Sequence, residues 1–209
     1  MMTIYDLKPA FQNSLRPVCR WLARVGATAN QVTVAALVIS LIVGAVFALN
    51  PSTSWAAFLI PLWLFLRMAL NAIDGMLARE HGMQSELGGI LNELSDVAAD
   101  AALYLPFALV PGISGPLIVC IVILSILTEM AGVVAVQIGA SRRYDGPMGK
   151  SDRAFVFGLL ALLIGFGLRL EPWANAALGI VAVLTLLTVF NRSSKALREL
   201  AATDENRSH

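Results

Sequence analysis

The sequence is poor in charge and in cysteine. Only 14% of its 209 residues are Asp, Glu, Lys or Arg, whereas 57% are hydrophobic. A soluble domain carries about 25% charged residues, so this chain has too little charge to cover a water-exposed surface. Disordered chains lack this apolar content, and two cysteines cannot form a disulfide framework. A net charge of +1 argues against nucleic acid as the main partner. The composition therefore predicts an integral membrane protein.

The N-terminal segment does not resemble a secretory signal, because basic residues are spread through it. Five apolar residues recur there at steps of four and three, the period of one helix face: Phe11, Leu15, Val18, Leu22 and Val25. Arg16, Arg20 and Arg24 form a second stripe at steps of four. The pattern predicts an amphipathic helix at 8–25, which either lies on an anionic membrane surface or only orients the chain.

Apolar stretches of about 20 residues, the length that crosses a bilayer, recur along the rest of the chain. We predict spans at 32–49, 55–79, 87–110, 115–139, 154–170 and 173–191. Lys and Arg concentrate in the N-terminal segment, in the link at 140–153 and in the tail, which places both termini in the cytoplasm. The predicted fold is all-α and forms a single domain, residues 1–209. It consists of a six-transmembrane-helix bundle at 32–191, the surface helix before it and a cytoplasmic tail at 192–209.

Polar residues interrupt the second and third predicted spans, where charge is costly and usually functional. On the second span, Asn71 and Asp74 are three residues apart. On the third, Asn92, Asp96 and Asp100 follow one another at steps of four, so each set shares one helix face. Because a short link makes these helices antiparallel, we expect the oxygen-bearing side chains to meet.

Carboxylate and amide oxygens without histidine or cysteine suit Mg²⁺, Mn²⁺ or Ca²⁺ rather than zinc. A magnesium site beside basic residues typically handles phosphate or diphosphate. The alternative is a set of interhelical hydrogen bonds and ion pairs that stabilise the bundle. That alternative is preferable for a single aspartate, but five residues in register on adjacent helices favour a metal site.

The run from Asn71 to Asp96 resembles the signature of the CDP-alcohol phosphotransferase family, D-x2-D-G-x2-A-R-x8-G-x3-D-x3-D. Every spacing matches, and so do six of the eight fixed residues. The departures are Asn71 and Asn92, which stand where the family has aspartate. The segment 28–33, which precedes the first predicted span, and the six spans themselves are also similar to that family.

The resemblance implies transfer of a phosphatidyl-type group from CDP-diacylglycerol to an alcohol or polyol-phosphate acceptor, with release of CMP. It implies metal ligation at four positions, of which the last is the general base: Asn71, Asp74, Asn92 and Asp96. It implies contact with the nucleotide at four others: Gly75, Ala78, Arg79 and Gly88. Since asparagine brings no charge, Asp74 and Asp96 balance one Mg²⁺ or Mn²⁺, and a second ion is expected only together with substrate. Asp100 either supplies auxiliary charge or forms hydrogen bonds inside the bundle.

A second basic set consists of Lys150, Arg153 and Arg192, which adjoin predicted span ends. Similar residues in the family bind a phosphorylated acceptor, and the alternative is that these three only set membrane topology.

Glu129 either hydrogen-bonds an acceptor or pairs with Arg67. The resemblance further implies a homodimer in a bacterial inner membrane. Two other functions stay open, namely a catalytically impaired member that binds lipid or nucleotide, and an ion or solute transporter.

Overall fold

The computed structural model describes residues 4–207, and within that range it contains α-helices and one short 3₁₀ helix but no strand. The α-helices are α1 (Ile4–Arg24), α2 (Ala29–Leu49), α3 (Ser54–Glu80), α4 (Glu86–Tyr104), α5 (Gly115–Gln137), α6 (Lys150–Gly165) and α7 (Trp173–Arg207). The all-α class is therefore confirmed. The last two residues of the predicted tail, 208 and 209, lie outside the described range.

Four of the described helices are long and apolar enough to cross a membrane: α2, α3, α5 and residues 173–203 of α7. The predicted third and fifth spans coincide with α4 and α6, which do not meet this standard. Helix α4 carries four acidic residues, and α6 has only 16 residues. The count of six spans thus stays a prediction.

The limits of these two helices also differ from the predicted 87–110 and 154–170. Helix α4 ends at Tyr104, and a 3₁₀ helix with proline in its first turn follows it. Proline lacks the N–H that an α-helix would need there. Helix α6 begins earlier than predicted because the Asp152 carboxylate accepts a hydrogen bond from the Gly149 N–H at 2.8 Å, which caps its first turn.

The chain divides into two compact units. The first contains the described residues up to 43 together with 62–103, and the second contains 44–61 and everything from 104 onward. In the second unit, α5 packs against α7. Its core also contains aromatic rings, with Tyr104 stacked on Phe157 at 4.2 Å and Phe107 edge-on to Phe157 at 5.1 Å.

In the first unit, α1 packs along α2 and α3. The buried cluster between these helices consists of Cys19, Ala29, Val32, Ile73, Met76 and Leu77. Leu15 and Leu22 of the predicted apolar stripe pack against this cluster, but Val18 and Val25 are exposed. The predicted helix at 8–25 overlaps α1, which ends one residue earlier at Arg24, and its amphipathic position on a membrane surface stays a prediction.

Cys19 provides a test of this packing. Its side chain is 1% exposed, and burial, with a smaller effect from Glu80, raises the pKa of its thiol. Because the thiolate is the reactive form, maleimide is expected to modify Cys19 at least about tenfold more slowly than an exposed cysteine. The measurement uses a Cys120→Ser variant, in which Cys19 is the only cysteine.

The matched control is Arg20→Cys with Cys19→Ser and Cys120→Ser, which moves the thiol to the neighbouring exposed position. Denaturation should make the two proteins react at equal rates. Equal rates in the native proteins would show that α1 is not packed on α2 and α3.

Candidate functional site

Side chains of α3 form hydrogen bonds with Asp96 of α4. The Asn71 Nδ2 donates a hydrogen bond to Asp96 Oδ1 at 2.9 Å. The Arg67 guanidinium, one turn before Asn71, donates to the same Oδ1 at 3.2 Å and to the Asp96 backbone oxygen at 3.1 Å. The structure therefore brings two of the predicted site residues, Asn71 and Asp96, into direct contact.

Arg67 also holds the next acidic residue on the face of α4. Its Nη1 donates to Asp100 Oδ1 at 2.5 Å, and both side chains are almost fully buried. One guanidinium thus bridges Asp96 and Asp100, which lie one helical turn apart. The sequence does not reveal this arrangement, because nothing in the spacing distinguishes Asp100 from Glu129 as the partner of Arg67.

Asp74 is fixed from α2. It is 4% exposed, and its Oδ2 accepts a hydrogen bond from Thr33 Oγ1 at 2.8 Å. Thr33 lies in the segment 28–33, yet sequence reasoning gave it no role, since a single hydroxyl in an apolar helix carries no signal of its partner 41 residues away. The contact holds the Asp74 carboxylate at a defined position beside α2.

The remaining signature residues differ in their surroundings. The Arg79 guanidinium lies over Gly75, where a Cβ would be 3.1 Å from Nη2. A Cβ on Gly88 would come within 2.7 Å of the Asn30 Oδ1, so glycine permits this approach of α2 to α4. Ala78 instead packs against the buried apolar cluster of the first unit. Asn92 is exposed on α4, one turn before Asp96.

The donor set of the first unit consists of oxygen atoms, which fits a hard divalent cation. The carboxylates of Asp74, Asp96 and Asp100 and the guanidinium of Arg67 together carry a formal charge of −2, and the Arg79 guanidinium over Gly75 adds a further positive charge beside Asp74. Among the described residues, no group of three or more His, Cys, Asp or Glu side chains is arranged to hold a metal ion. Asn71 and Asn92 add amide oxygens to the possible donors.

A second charged cluster, in the other unit, is centred on Glu129 of α5. Its Oε1 accepts a hydrogen bond from Arg153 Nη2 at 3.0 Å, and its Oε2 accepts one from Arg192 Nη1 at 3.4 Å. Arg142 Nη2 lies 3.8 Å from Oε2. Glu129 thus pairs with arginines of α6, of α7 and of the link before α6, an arrangement that neither sequence-based alternative anticipated.

The two buried arginines of this cluster are also bound to neighbouring protein groups. Arg153 is 0% exposed, and its Nη1 donates to Thr128 Oγ1 and to the Met148 backbone oxygen, both at 3.1 Å. Arg192 is 2% exposed, and its Nε donates to the Asp145 backbone oxygen at 3.2 Å. The structure therefore brings Arg153 and Arg192 together, while Lys150 lies at the first residue of α6.

Known proteins are similar to this chain in sequence. The family model of the CDP-alcohol phosphatidyltransferases matches residues 27–195. The Escherichia coli (strain K12) inner membrane protein YnbA is 45% identical over 196 residues, which cover 94% of this chain and 97% of YnbA. The phosphatidylinositol phosphate synthase of Mycobacteroides abscessus is 24% identical over 189 residues, covering 88% of this chain and 84% of the synthase.

Two solved structures share the fold. The Mycobacterium tuberculosis phosphatidylinositol phosphate synthase (PgsA1) with CDP-DAG bound superposes with a TM-score of 0.72 at 20% identity, covering 86% of this chain and 92% of PgsA1. Its complex with manganese and citrate gives a TM-score of 0.72 at 21% identity, covering 87% and 88%. At these identities the similarity concerns the fold alone.

Thr33 allows a test of how Asp74 is held. Thr33→Val keeps the shape of the side chain but removes the hydroxyl that donates to the carboxylate. A hydrogen bond to a charged group contributes roughly 1.5–3 kcal/mol, so the variant should unfold at a lower temperature in detergent. Thr33→Ser, which keeps the hydroxyl, should lie closer to the wild type. Equal melting temperatures for the valine and serine variants would contradict this role.

Proposed function

Because the chain belongs to the CDP-alcohol phosphatidyltransferase family, we propose that it transfers a phosphatidyl-type group from CDP-diacylglycerol to an alcohol or polyol-phosphate acceptor, releasing CMP. The protein is a membrane transferase of phospholipid biosynthesis, and its inner-membrane relative supports a multi-pass inner membrane protein. The observation that carries the proposal is the hydrogen-bonded link between Asn71 and Asp96, which joins the two halves of the signature.

In the proposed reaction, Asp96 is the general base. It takes the proton of the acceptor hydroxyl, and the acceptor oxygen forms a bond to the β-phosphorus. The bond from that phosphorus to the bridging oxygen breaks, and CMP leaves with the electron pair. Arg67 and Asn71 both donate to Asp96 Oδ1, which orients the carboxylate. Four residues serve the nucleotide: Gly75, Ala78, Arg79 and Gly88.

We propose Mg²⁺ or Mn²⁺ as the cofactor, held by Asp74 and Asp96 with the amide oxygens of Asn71 and Asn92. When bound, a divalent ion neutralises the diphosphate and assists departure of CMP. Only two of these four ligand positions, Asp74 and Asp96, carry a carboxylate, which supports one tightly bound ion in the free protein, with a second joining only with the CDP-lipid. The manganese in the complex of PgsA1 is consistent with this cofactor class.

We propose that the cluster around Glu129 receives a phosphate group of the acceptor, with Lys150, Arg153 and Arg192 as its cations. The Glu129 carboxylate faces three arginines, Arg142, Arg153 and Arg192, which leaves these four side chains two positive charges in excess, and Lys150 at the start of α6 adds a further cation. Arg153 Nε is buried and makes no hydrogen bond within the described part of the chain. A phosphate monoester, which carries about two negative charges, matches both features.

For the membrane arrangement we propose six spans, cytoplasmic termini and a homodimer. Helices α4 and α6 would supply the two spans beyond the four apolar helices, since charges within a bilayer are accepted where they face a protein interior. A catalytically impaired member is the second candidate, because Asp96 Oδ1 already accepts two hydrogen bonds from the protein. Family membership leaves the transporter alternative without support.

The decisive experiment is CMP release from CDP-diacylglycerol, measured with a panel of glycerol, glycerol 3-phosphate, inositol, inositol phosphate and serine. Asp96→Asn should reduce release to below about 1% of the wild-type rate, because a general base contributes on the order of 10²- to 10⁴-fold. The control is Glu86→Gln, which removes an exposed carboxylate from the first turn of the same helix. A wild-type protein that is inactive with every acceptor would favour the catalytically impaired member. An active Asp96→Asn variant would contradict the assignment of Asp96 as the general base.

Lys150 offers a test of the acceptor site that leaves the buried arginines in place. If the acceptor carries a phosphate, Lys150→Ala should raise its KM about tenfold or more, since charge-assisted contacts contribute roughly 1.5–3 kcal/mol. The KM for CDP-diacylglycerol should change little. The exposed Arg198→Ala serves as the control for a general loss of cytoplasmic charge. Equal effects of Lys150→Ala on both substrates would contradict phosphate binding.

A further inference from the structure

We infer that Arg67 acts as an internal cation that keeps a second divalent ion out of the free site. The inference rests on the proposed function, since it concerns the same carboxylates. It assigns to Arg67 a role that the signature does not include. Its basis is the position of the guanidinium, which lies between two carboxylates on one face of α4.

The contacts show why Arg67 competes with a second metal ion placed between Asp96 and Asp100. Arg67 Nη1 binds Asp100 Oδ1, and Nη2 binds Asp96 Oδ1 and the Asp96 backbone oxygen. These are the hard oxygen donors that a divalent cation would use. Because the arginine is 4% exposed, its guanidinium is held among these oxygens rather than in solvent. A cation bridging Asp96 and Asp100 would have to displace it.

The charge at these carboxylates leads to the same conclusion. Asp96 and Asp100 with Arg67 carry a net charge of −1, and Asp74 raises the total to −2. One divalent ion near Asp74 neutralises these four side chains, whereas two would leave an excess of positive charge at a poorly solvated position. Without the arginine, the three carboxylates would carry −3, and a second ion would be favoured.

The guanidinium of Arg67 also differs from a metal ion in how it binds the two carboxylates. It is planar and always charged, and it holds two carboxylates through separate nitrogens without needing water or substrate to complete a coordination shell. Arg67 therefore keeps α3 and α4 joined whether or not metal is present. The site would lose one ion on chelation without losing the contact between these helices.

The test is the number of Mn²⁺ ions bound per chain, determined by calorimetric titration of the full-length protein in detergent without CDP-lipid. The wild type should bind one ion tightly. Arg67→Gln should bind two, because it removes the cation that holds Asp96 and Asp100, and its melting temperature should rise more with Mn²⁺ than that of the wild type. Arg67→Gln combined with Asp100→Asn restores the original net charge and should return the count to one.

The outcomes separate this inference from the proposed function. Two tight ions in the wild type would overturn the role of Arg67 whether or not the variants fold. The same count in folded wild-type and Arg67→Gln proteins would also overturn it. No ion in the wild type but one in Arg67→Gln would support the inference and contradict the proposed metal site. The exposed Arg20→Gln is the control for loss of a positive charge elsewhere, and it should bind as the wild type does.

Discussion

The ion pairs of Arg67 are the interaction on which the site in the first unit depends. Burying a carboxylate in a poorly solvated interior is strongly unfavourable unless it is paired, and Asp100 is almost fully buried. Arg67 offsets that cost and at the same time binds Asp96 one turn earlier. Since the two partners lie on one face of α4, the arginine sets both the rotation of α4 and its register along α3. Asn71 and Asp96 meet as a consequence.

Each of the two units contains a cluster of charged side chains, and the sign of the excess charge differs between the two clusters. In the first, one arginine faces Asp96 and Asp100, so that negative charge is in excess. In the second, Glu129 is surrounded by arginines, so that positive charge is in excess. An excess of carboxylate attracts a metal cation, and an excess of guanidinium attracts a phosphate anion. A phosphatidyl transfer that uses a metal ion and a phosphorylated acceptor requires both kinds of site.

The sequence allowed the all-α class to be predicted, and four of the six predicted spans coincide with helices long and apolar enough to cross a membrane, because long apolar runs leave few alternatives. It also placed Asn71 and Asp96 on facing helix surfaces from their spacing alone. It did not reveal the contact of Thr33 with Asp74 or those of Glu129 with three arginines, since each joins residues distant in the chain. The end of α4 at Tyr104 was misplaced, because apolar residues continue through the 3₁₀ helix that follows. Periodicity predicts helix faces, whereas partners depend on packing.

In the proposed site, the oxygen atoms of α3 and α4 hold one divalent ion, and Arg67 is the second source of positive charge. The most direct measurement is a crystal structure of the free protein grown with Mn²⁺, with data collected at the manganese absorption edge. The account predicts one anomalous peak within coordination distance of Asp74, and Arg67 still bound to Asp96 and Asp100. A peak between Asp96 and Asp100, with Arg67 displaced, would contradict it.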